Sequence, residues 1–293
     1  SMMSSQMSSP RAMATIDGAH GPRLQDAVAI ARARTNDAAD IRGDSMFDDL
    51  KGKVVVVTGG VTGIGGAASL AFAEAGAKVF AQYHGGGPEL TAIEKAGITT
   101  LKLDLTEQGA PQKLMDAAIA RHGRIDVLVN NAGSLVARVP VADLDDDFID
   151  RVFDLNCRQL IHCCRIAARL MKAQGSGNII NVTSIAARTG SSPGGAVYGG
   201  AKAFVSAFSK TLAKELVGNG VRVNCVSPGT IHTAFHDRFS DEAKREATRK
   251  TIPMQRLGVA EDCAGTFLYL ASDKASGYVT GQVIEVNGGQ LMA

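Results

Sequence analysis

From Lys53 onward, short apolar runs alternate with longer stretches of helical period. The runs KVVVVT (from 53), KVFAQY (78), TTLKLD (99), IDVLVN (125), NIINVTS (178), VRVNCVS (221) and QVIEVN (282) read as strands. Between them lie segments of helix length, such as GIGGAASLAFAEAG from 63 and APQKLMDAAIARHG from 110, the latter closing on a glycine. Strands that are apolar along their whole length and separated by helices predict a parallel sheet covered on both faces. The expected architecture is a single α/β domain over 47–293 with a doubly wound sheet of about seven strands. No second run of this kind marks a separate substrate domain, so a substrate site must be built from loops at the carboxyl ends of the strands.

Residues 1–46 break the pattern. Ser, Met, Ala, Asp and Arg follow one another there without sustained periodicity, and the opening "SM" looks like a tag remnant. We expect this extension to be disordered. Asp17, Asp26, Asp37, Asp40 and Asp44 argue against an acid-poor transit peptide, and Met46 is an alternative natural start.

Composition narrows the function classes. The 293 residues carry a net charge of +2, which gives no reason to expect nucleic acid or an anionic membrane as a partner. No apolar run reaches the ~20 residues of a bilayer span, and no secretory signal is evident, so a soluble cytoplasmic protein is expected. Cys157, Cys163, Cys164, Cys225 and Cys263 form no C-x-x-C and no zinc-type spacing with His. They read as reduced, buried thiols, and no metal site is expected.

The first strand runs directly into TGGVTGIG, Thr58 to Gly65, which opens a helix. A glycine turn between first strand and first helix brings backbone amides and the positive end of the helix against a phosphate. Gly59 would allow the tight turn, while Gly63 and Gly65 would let backbone approach a pyrophosphate.

The spacing Gly-x-x-x-Gly-x-Gly is accompanied by NNAG at 130–133, Ser184, YGGAK at 198–202 and PGTIHT at 228–233. Together these motifs resemble the classical short-chain dehydrogenases/reductases over residues 52 to about 290. The resemblance implies a Rossmann fold, a nicotinamide dinucleotide and a catalytic tetrad of Asn156, Ser184, Tyr198 and Lys202. It also implies cofactor contacts from Gly59, Thr62, Gly63, Ile64 and Gly65, from Asp104 and Leu105, and from Asn130, Ala132 and Gly133. Tyr198, Lys202, Pro228, Gly229, Ile231 and Thr233 complete that set.

A carboxylate at the end of the second strand would bind a ribose 2′-hydroxyl and repel a 2′-phosphate. Tyr83 stands where that acid is sought, with His84 and the amides of Gly85 and Gly86 beyond it. NADP is therefore favoured, with NAD the alternative, since no Arg or Lys accompanies them. Asp104 matches the family's adenine-contacting aspartate or is simply a helix N-cap.

Tyr198 and Lys202 are one helical turn apart and share a face. A phenol, ionising near ~10, becomes an effective acid–base group at neutral pH when a cation stabilises its phenolate. Lys202 is expected to supply that charge. Ser184, at the end of the fifth strand, would stabilise charge on the substrate oxygen, with Thr183 its neighbouring rival. In the resembling family, the residue matching Asn156 retains a water linking lysine to solvent.

The stretch 231–257, with the charged helix SDEAKREATRK, resembles a substrate lid. Arg138, Arg188, His232 and His236 are candidates for recognising an anion. The expected substrate is a small carbonyl or alcohol. A 3-oxoacyl-[acyl-carrier-protein] reductase is the enzymatic alternative, and a non-catalytic dinucleotide sensor the alternative of another class. Gly200, Ala203, Ala207 and Phe204 form a small-residue stripe with one aromatic neighbour, expected to lie between copies in a homodimer or homotetramer.

Overall fold

The computed structural model describes residues 46–292, apart from Gly86, Pro88 and 234–241. The expectation of disorder over 1–46 thus falls, except at Met46, outside the described residues. Seven parallel strands form one sheet: β1 (Val54–Thr58), β2 (Lys78–Tyr83), β3 (Thr99–Lys102), β4 (Val127–Asn130), β5 (Gly177–Val182), β6 (Val221–Pro228) and β7 (Val283–Val286). Their spatial order is β3-β2-β1-β4-β5-β6-β7. The connection from β1 goes one way to β2 and the later return to β4 goes the other, so a crevice opens beyond the carboxyl ends of β1 and β4.

The helices are α1 (Gly63–Glu74), α2 (Glu89–Lys95), α3 (Ala110–His122), α4 (Asp146–Phe153), α5 (Gln159–Gln174), the single turn α6 (Ala186–Thr189) and α7 (Ala196–Leu216). They are followed by α8 (Glu242–Thr251), α9 (Glu261–Ala271) and the short α10 (Asp273–Ser276). The alternation of β1 explains its unbroken valines. Val55 and Val57 join a core with Ala68 and Phe72 of α1 and Phe267 of α9, whereas Val56 faces a second core with Leu114 of α3, Leu160 of α5 and Val205 of α7. With both faces covered, a polar strand position is costly unless a local partner satisfies it.

Where polar residues do occur in the sheet, they tie elements together. Asn178 Nδ2 donates to Leu270 O at 2.6 Å, fixing α9 to β5. The Arg222 guanidinium, 8% exposed, reaches Asp273, Ser276 and the Val279 carbonyl beside α10. Between α4 and α5 the helix widens into a π turn over Asp154–Arg158.

Candidate active site

A cleft of about 1030 Å³ lies over the strands' carboxyl ends. Its floor begins at the glycine turn, where Gly59 (φ +60°) and Gly63 (φ +53°) take left-handed conformations that a side chain would strain. A Cβ on Gly59 would stand 3.0 Å from Asn131 Nδ2 and 3.2 Å from Ala132 Cα, so the glycine keeps the cradle open. Thr62 precedes α1 without a side-chain cap bond, and Gly63 and Ile64 line the cleft. The first-turn amides of α1 therefore border it uncapped, the donor set that suits a pyrophosphate.

Gly65 has a different reason to be glycine. It is buried and absent from the cleft lining, and a Cβ there would overlap the Gly59 carbonyl oxygen and Asn131 Nδ2. The turn packs against its own helix at this point, so Gly65 stands behind the cleft and not in its lining.

The loops are held in register by a polar network that sequence reasoning did not anticipate. Thr58 Oγ1 accepts from the amides of Asn131 and Ala132, each at 3.0 Å, while Asn131 Nδ2 donates to the carbonyls of Thr58 and Gly59. Gly59 N donates to Gln82 Oε1 at 2.9 Å, and Gln82 Nε2 donates to Leu103 O at 2.6 Å. One buried glutamine thus links the ends of β1, β2 and β3. A glutamine inside an apolar strand run was the available signal.

At the far end of the cleft, Gln82, His84, Asp104, Leu105 and Thr106 come together. His84 Nδ1 is 3.6 Å from Asp104 Oδ2. Asp104 is no helix cap: its Oδ1 accepts from the amide and hydroxyl of Thr106. Partial burial works to raise its pKa, but the Thr106 bonds and the His84 charge outweigh this and hold it below the usual value. Tyr83 is not part of this wall. Strand alternation turns its ring against the core that includes α1 and leaves His84 as the nearer cleft residue. Asn130 is likewise beneath the cleft, donating to Asn181 Oδ1 at 2.8 Å and to Cys164 Sγ at 3.2 Å. Ala132, Gly133, Pro228, Gly229, Ile231 and Thr233 all line it as expected.

In the middle, Ser184, Tyr198 and Lys202 line the same wall. Tyr198 is hydrogen-bonded to the Ser184 side chain. Lys202, 3% exposed, donates from Nζ to Val182 O at 3.0 Å and lies 5.7 Å from the Tyr198 ring centroid. Thr183 also borders the cleft, but its hydroxyl is committed to Lys202 O at 2.7 Å and to Ser206, which leaves Ser184 as the available hydroxyl.

Asn156 is fully buried in the π turn and does not line the cleft. Its Nδ2 donates to Val152 O at 2.9 Å, the acceptor that an ordinary α-helical turn would give to its own amide. The same side chain bonds both the amide and carbonyl of Ser134. A Cβ on Gly133 would come within 2.7 Å of Asn156 Oδ1 and 3.0 Å of Lys202 Nζ, so these two groups converge on one bare stretch of backbone.

Burial pushes the Tyr198 phenol up to about 12, with the Ser184 bond opposing the shift, and pushes Lys202 down to about 8. The expected lowering of the phenol by Lys202 is not met by these groups alone. The ammonium is directed at Val182 O and is itself desolvated.

Of the residues considered for anion recognition, Arg138 lines the cleft. Arg188 and His232 do not, and Arg188 lies 3.8 Å from Glu285. His236 is outside the described residues. Arg151 of α4 and Arg245 of α8 line the cleft and were not anticipated.

A glycine turn at the switch point of a parallel sheet, with a Ser–Tyr–Lys group beside it, defines a dinucleotide-dependent oxidoreductase. Residues 59–290 match the family model described as enoyl-(acyl carrier protein) reductase. The chain is 37% identical over 253 residues to a 3-oxoacyl-[acyl-carrier-protein] reductase of Synechocystis, covering 83% of this chain and 98% of that one. It is equally, 37%, identical to 3beta-hydroxysteroid dehydrogenase 1 of Eggerthella lenta over 255 residues, covering 84% and 97%. Among solved structures, the NADH-dependent reductase A1-R′ responsible for alginate metabolism superposes with a TM-score of 0.76 at 35% identity, covering 84% of this chain and all of that one. A candidate gluconate 5-dehydrogenase from Beutenbergia cavernae, solved with bound NADP, gives 0.76 at 33%, covering 83% and 98%. The chain belongs to the short-chain dehydrogenase/reductase family, NAD(P)-dependent oxidoreductases that act on CH–OH and C=O groups.

Proposed function

We propose that Ser184, Tyr198 and Lys202, supported by Asn156, form the reaction centre of an NADP-preferring reductase of small carbonyl compounds, with NAD the alternative cofactor. The observation that carries this reading is the Ser184–Tyr198 hydrogen bond in the cleft wall, one helical turn from buried Lys202. The bound nicotinamide supplies or accepts the hydride. Ser184 holds the substrate oxygen, and Tyr198 Oη gives that oxygen its proton as the carbonyl carbon is reduced. A phenol raised to about 12 keeps its proton at neutral pH, which suits reduction. Lys202 contributes positive charge below about pH 8, and Asn156 fixes the Ser134 backbone beside it.

The cofactor preference rests on His84, the residue at the end of β2 that lines the cleft, where the strand offers no carboxylate. Five buried, unpaired cysteines fit a reducing compartment such as the cytoplasm. A homo-oligomer, dimer or tetramer, is supported by the exposed stripe on α7.

The test is Tyr198→Phe, assayed with both cofactors across a carbonyl panel. Turnover should fall by ~10²–10⁴-fold while dinucleotide affinity stays close to that of the wild type. A variant that keeps more than about a tenth of the activity sinks the assignment. The second reading, reduction of 3-oxoacyl thioesters, is favoured by the acyl-carrier reductases among the relatives. Preferential turnover of acetoacetyl-N-acetylcysteamine would establish it. Cofactor binding without turnover of any substrate would instead support a dinucleotide sensor.

A further inference from the structure

We propose that Thr183 is a positioning residue of the reaction centre, holding the helical turn that carries Lys202 in register with the strand end that carries Ser184; this rests on the reaction-centre reading above. Ser184 and Tyr198 come from different elements, the end of β5 and the start of α7. The serine side is fixed by the sheet. Thr183 N donates to Val226 O at 2.9 Å and Ile185 N to Pro228 O at 3.0 Å, so the residues on either side of Ser184 extend the ladder to β6. The tyrosine side has no such ladder. α7 packs on the sheet through apolar groups such as Val205 and Leu212, and apolar contact has no preferred direction, whereas a hydrogen bond does.

Two buried polar ties supply that direction. Alternation puts Asn181 and Thr183 on one face of β5, and they meet successive turns of α7. Asn181 Nδ2 donates to Ser209 Oγ at 2.8 Å, and Thr183 Oγ1 donates to Lys202 O at 2.7 Å. Ser206 Oγ lies 2.7 Å from Thr183 Oγ1 and 3.1 Å from Lys202 O. Two hydroxyl protons serve these three contacts. With Thr183 donating to the carbonyl, Ser206 donates to Thr183 Oγ1 and completes a chain that ends on the lysine backbone. Consecutive residues at the end of β5 thus grip neighbouring turns of α7: Val182 O takes the Lys202 ammonium, Thr183 the Lys202 carbonyl, and Ser184 the Tyr198 side chain. The first and third of these contacts involve groups that take part in the reaction. The Thr183 bond involves no reacting atom, so it keeps the turn in place while the other two change. A displacement of about 1 Å at the site is enough to cost roughly 100-fold in rate.

The experiment compares Thr183→Val and Thr183→Ser with the wild-type full chain, using the carbonyl panel above, with ethyl acetoacetate and 2,3-butanedione among its members, and either cofactor. Valine keeps the branched shape and removes the hydroxyl. Ser206 then donates to Lys202 O, so no buried donor is stranded. In the valine variant kcat should fall by roughly 10–100-fold while KM for ketone and cofactor stays within about twofold and the thermal midpoint within about 4 °C. Thr183→Ser returns the donor and should restore most of kcat. Amide hydrogen exchange should quicken over 198–206 in the valine variant and not over 209–216, where Asn181 still holds the helix. A valine variant with the wild-type kcat, or a loss that the serine variant shares, would overturn the positioning role and leave the reaction-centre reading standing. A wild type that reduces no member of the panel would overturn that reading, and hydrogen exchange then decides the tie by itself: equal exchange over 198–206 in valine variant and wild type would overturn it.

Discussion

Lys202 shows how a single side chain can act against stability while serving the site. It is buried with Val182 O as the acceptor of its ammonium, and burial lowers its pKa from 10.5 to about 8. The folded protein therefore releases this proton more readily than the unfolded chain does. Below pH 8 the full cost is present, roughly 3 kcal/mol, and it disappears as pH rises from 8 toward 10.5. Lys202→Met removes that cost and loses one hydrogen bond worth ~1 kcal/mol, so at pH 7 the variant should be inactive yet more stable by on the order of 2 kcal/mol. Urea unfolding at pH 7 and pH 10 checks the sign. The gap between variant and wild type must narrow at the higher pH, and a variant less stable at pH 7 would contradict the burial argument.

At the scale of elements, the site is an agreement among strand ends. Gln82 joins the turns after β1 and β3, Asn131 joins those after β1 and β4, and the π turn between α4 and α5 carries Asn156 to the Ser134 backbone. At the end of β2, His84 lines the cleft and Tyr83 packs against the core, so the proposed cofactor preference is tested at His84. His84→Asp should place a carboxylate beside Asp104, disfavour the 2′-phosphate and shift the ratio of kcat/KM for NADP over NAD downward by about tenfold. Steady-state kinetics with each cofactor would show it. An unchanged ratio would mean that the adenosine end lies elsewhere along the wall.

For the whole molecule, the paired glycines of α7 separate into two roles. Gly199 is buried against the 186–191 turn, where a Cβ would lie 3.2 Å from Ser191 N, whereas Gly200 is exposed and a Cβ there would meet no atom within 4 Å. Ala207 and Phe204 are exposed on the same helix, and Phe204 stacks on Phe208 at 5.7 Å. A helix that presents a glycine, an alanine and a 38%-exposed phenylalanine to solvent is suited to close approach by a second copy. Gly200→Leu should reduce the mass measured by light scattering and lower turnover as well, because Tyr198 lies on the same helix. An unchanged assembly with normal activity would rule out a close contact at this position. Among the described residues, no helix is long and apolar enough to cross a membrane.

The apolar period of seven strand runs determined the parallel sheet, because strands buried on both faces must be apolar on both faces, and this is visible residue by residue. Tyr198 and Lys202 were legible for a similar reason, since i to i+4 on a helix is a local relation that needs no tertiary information. Gly65, Tyr83 and Asn130 do not line the cleft, because the choice between facing it and facing a packed neighbour depends on what lies opposite. For Gly65 that neighbour is its own turn, for Tyr83 the core that includes α1, and for Asn130 Asn181 of β5. Gln82, Asn131 and Arg151 lie far apart in the chain and share one cleft only because the strand order brings β2, β4 and α4 to its rim. Such convergence is set by long-range packing, which no local pattern encodes.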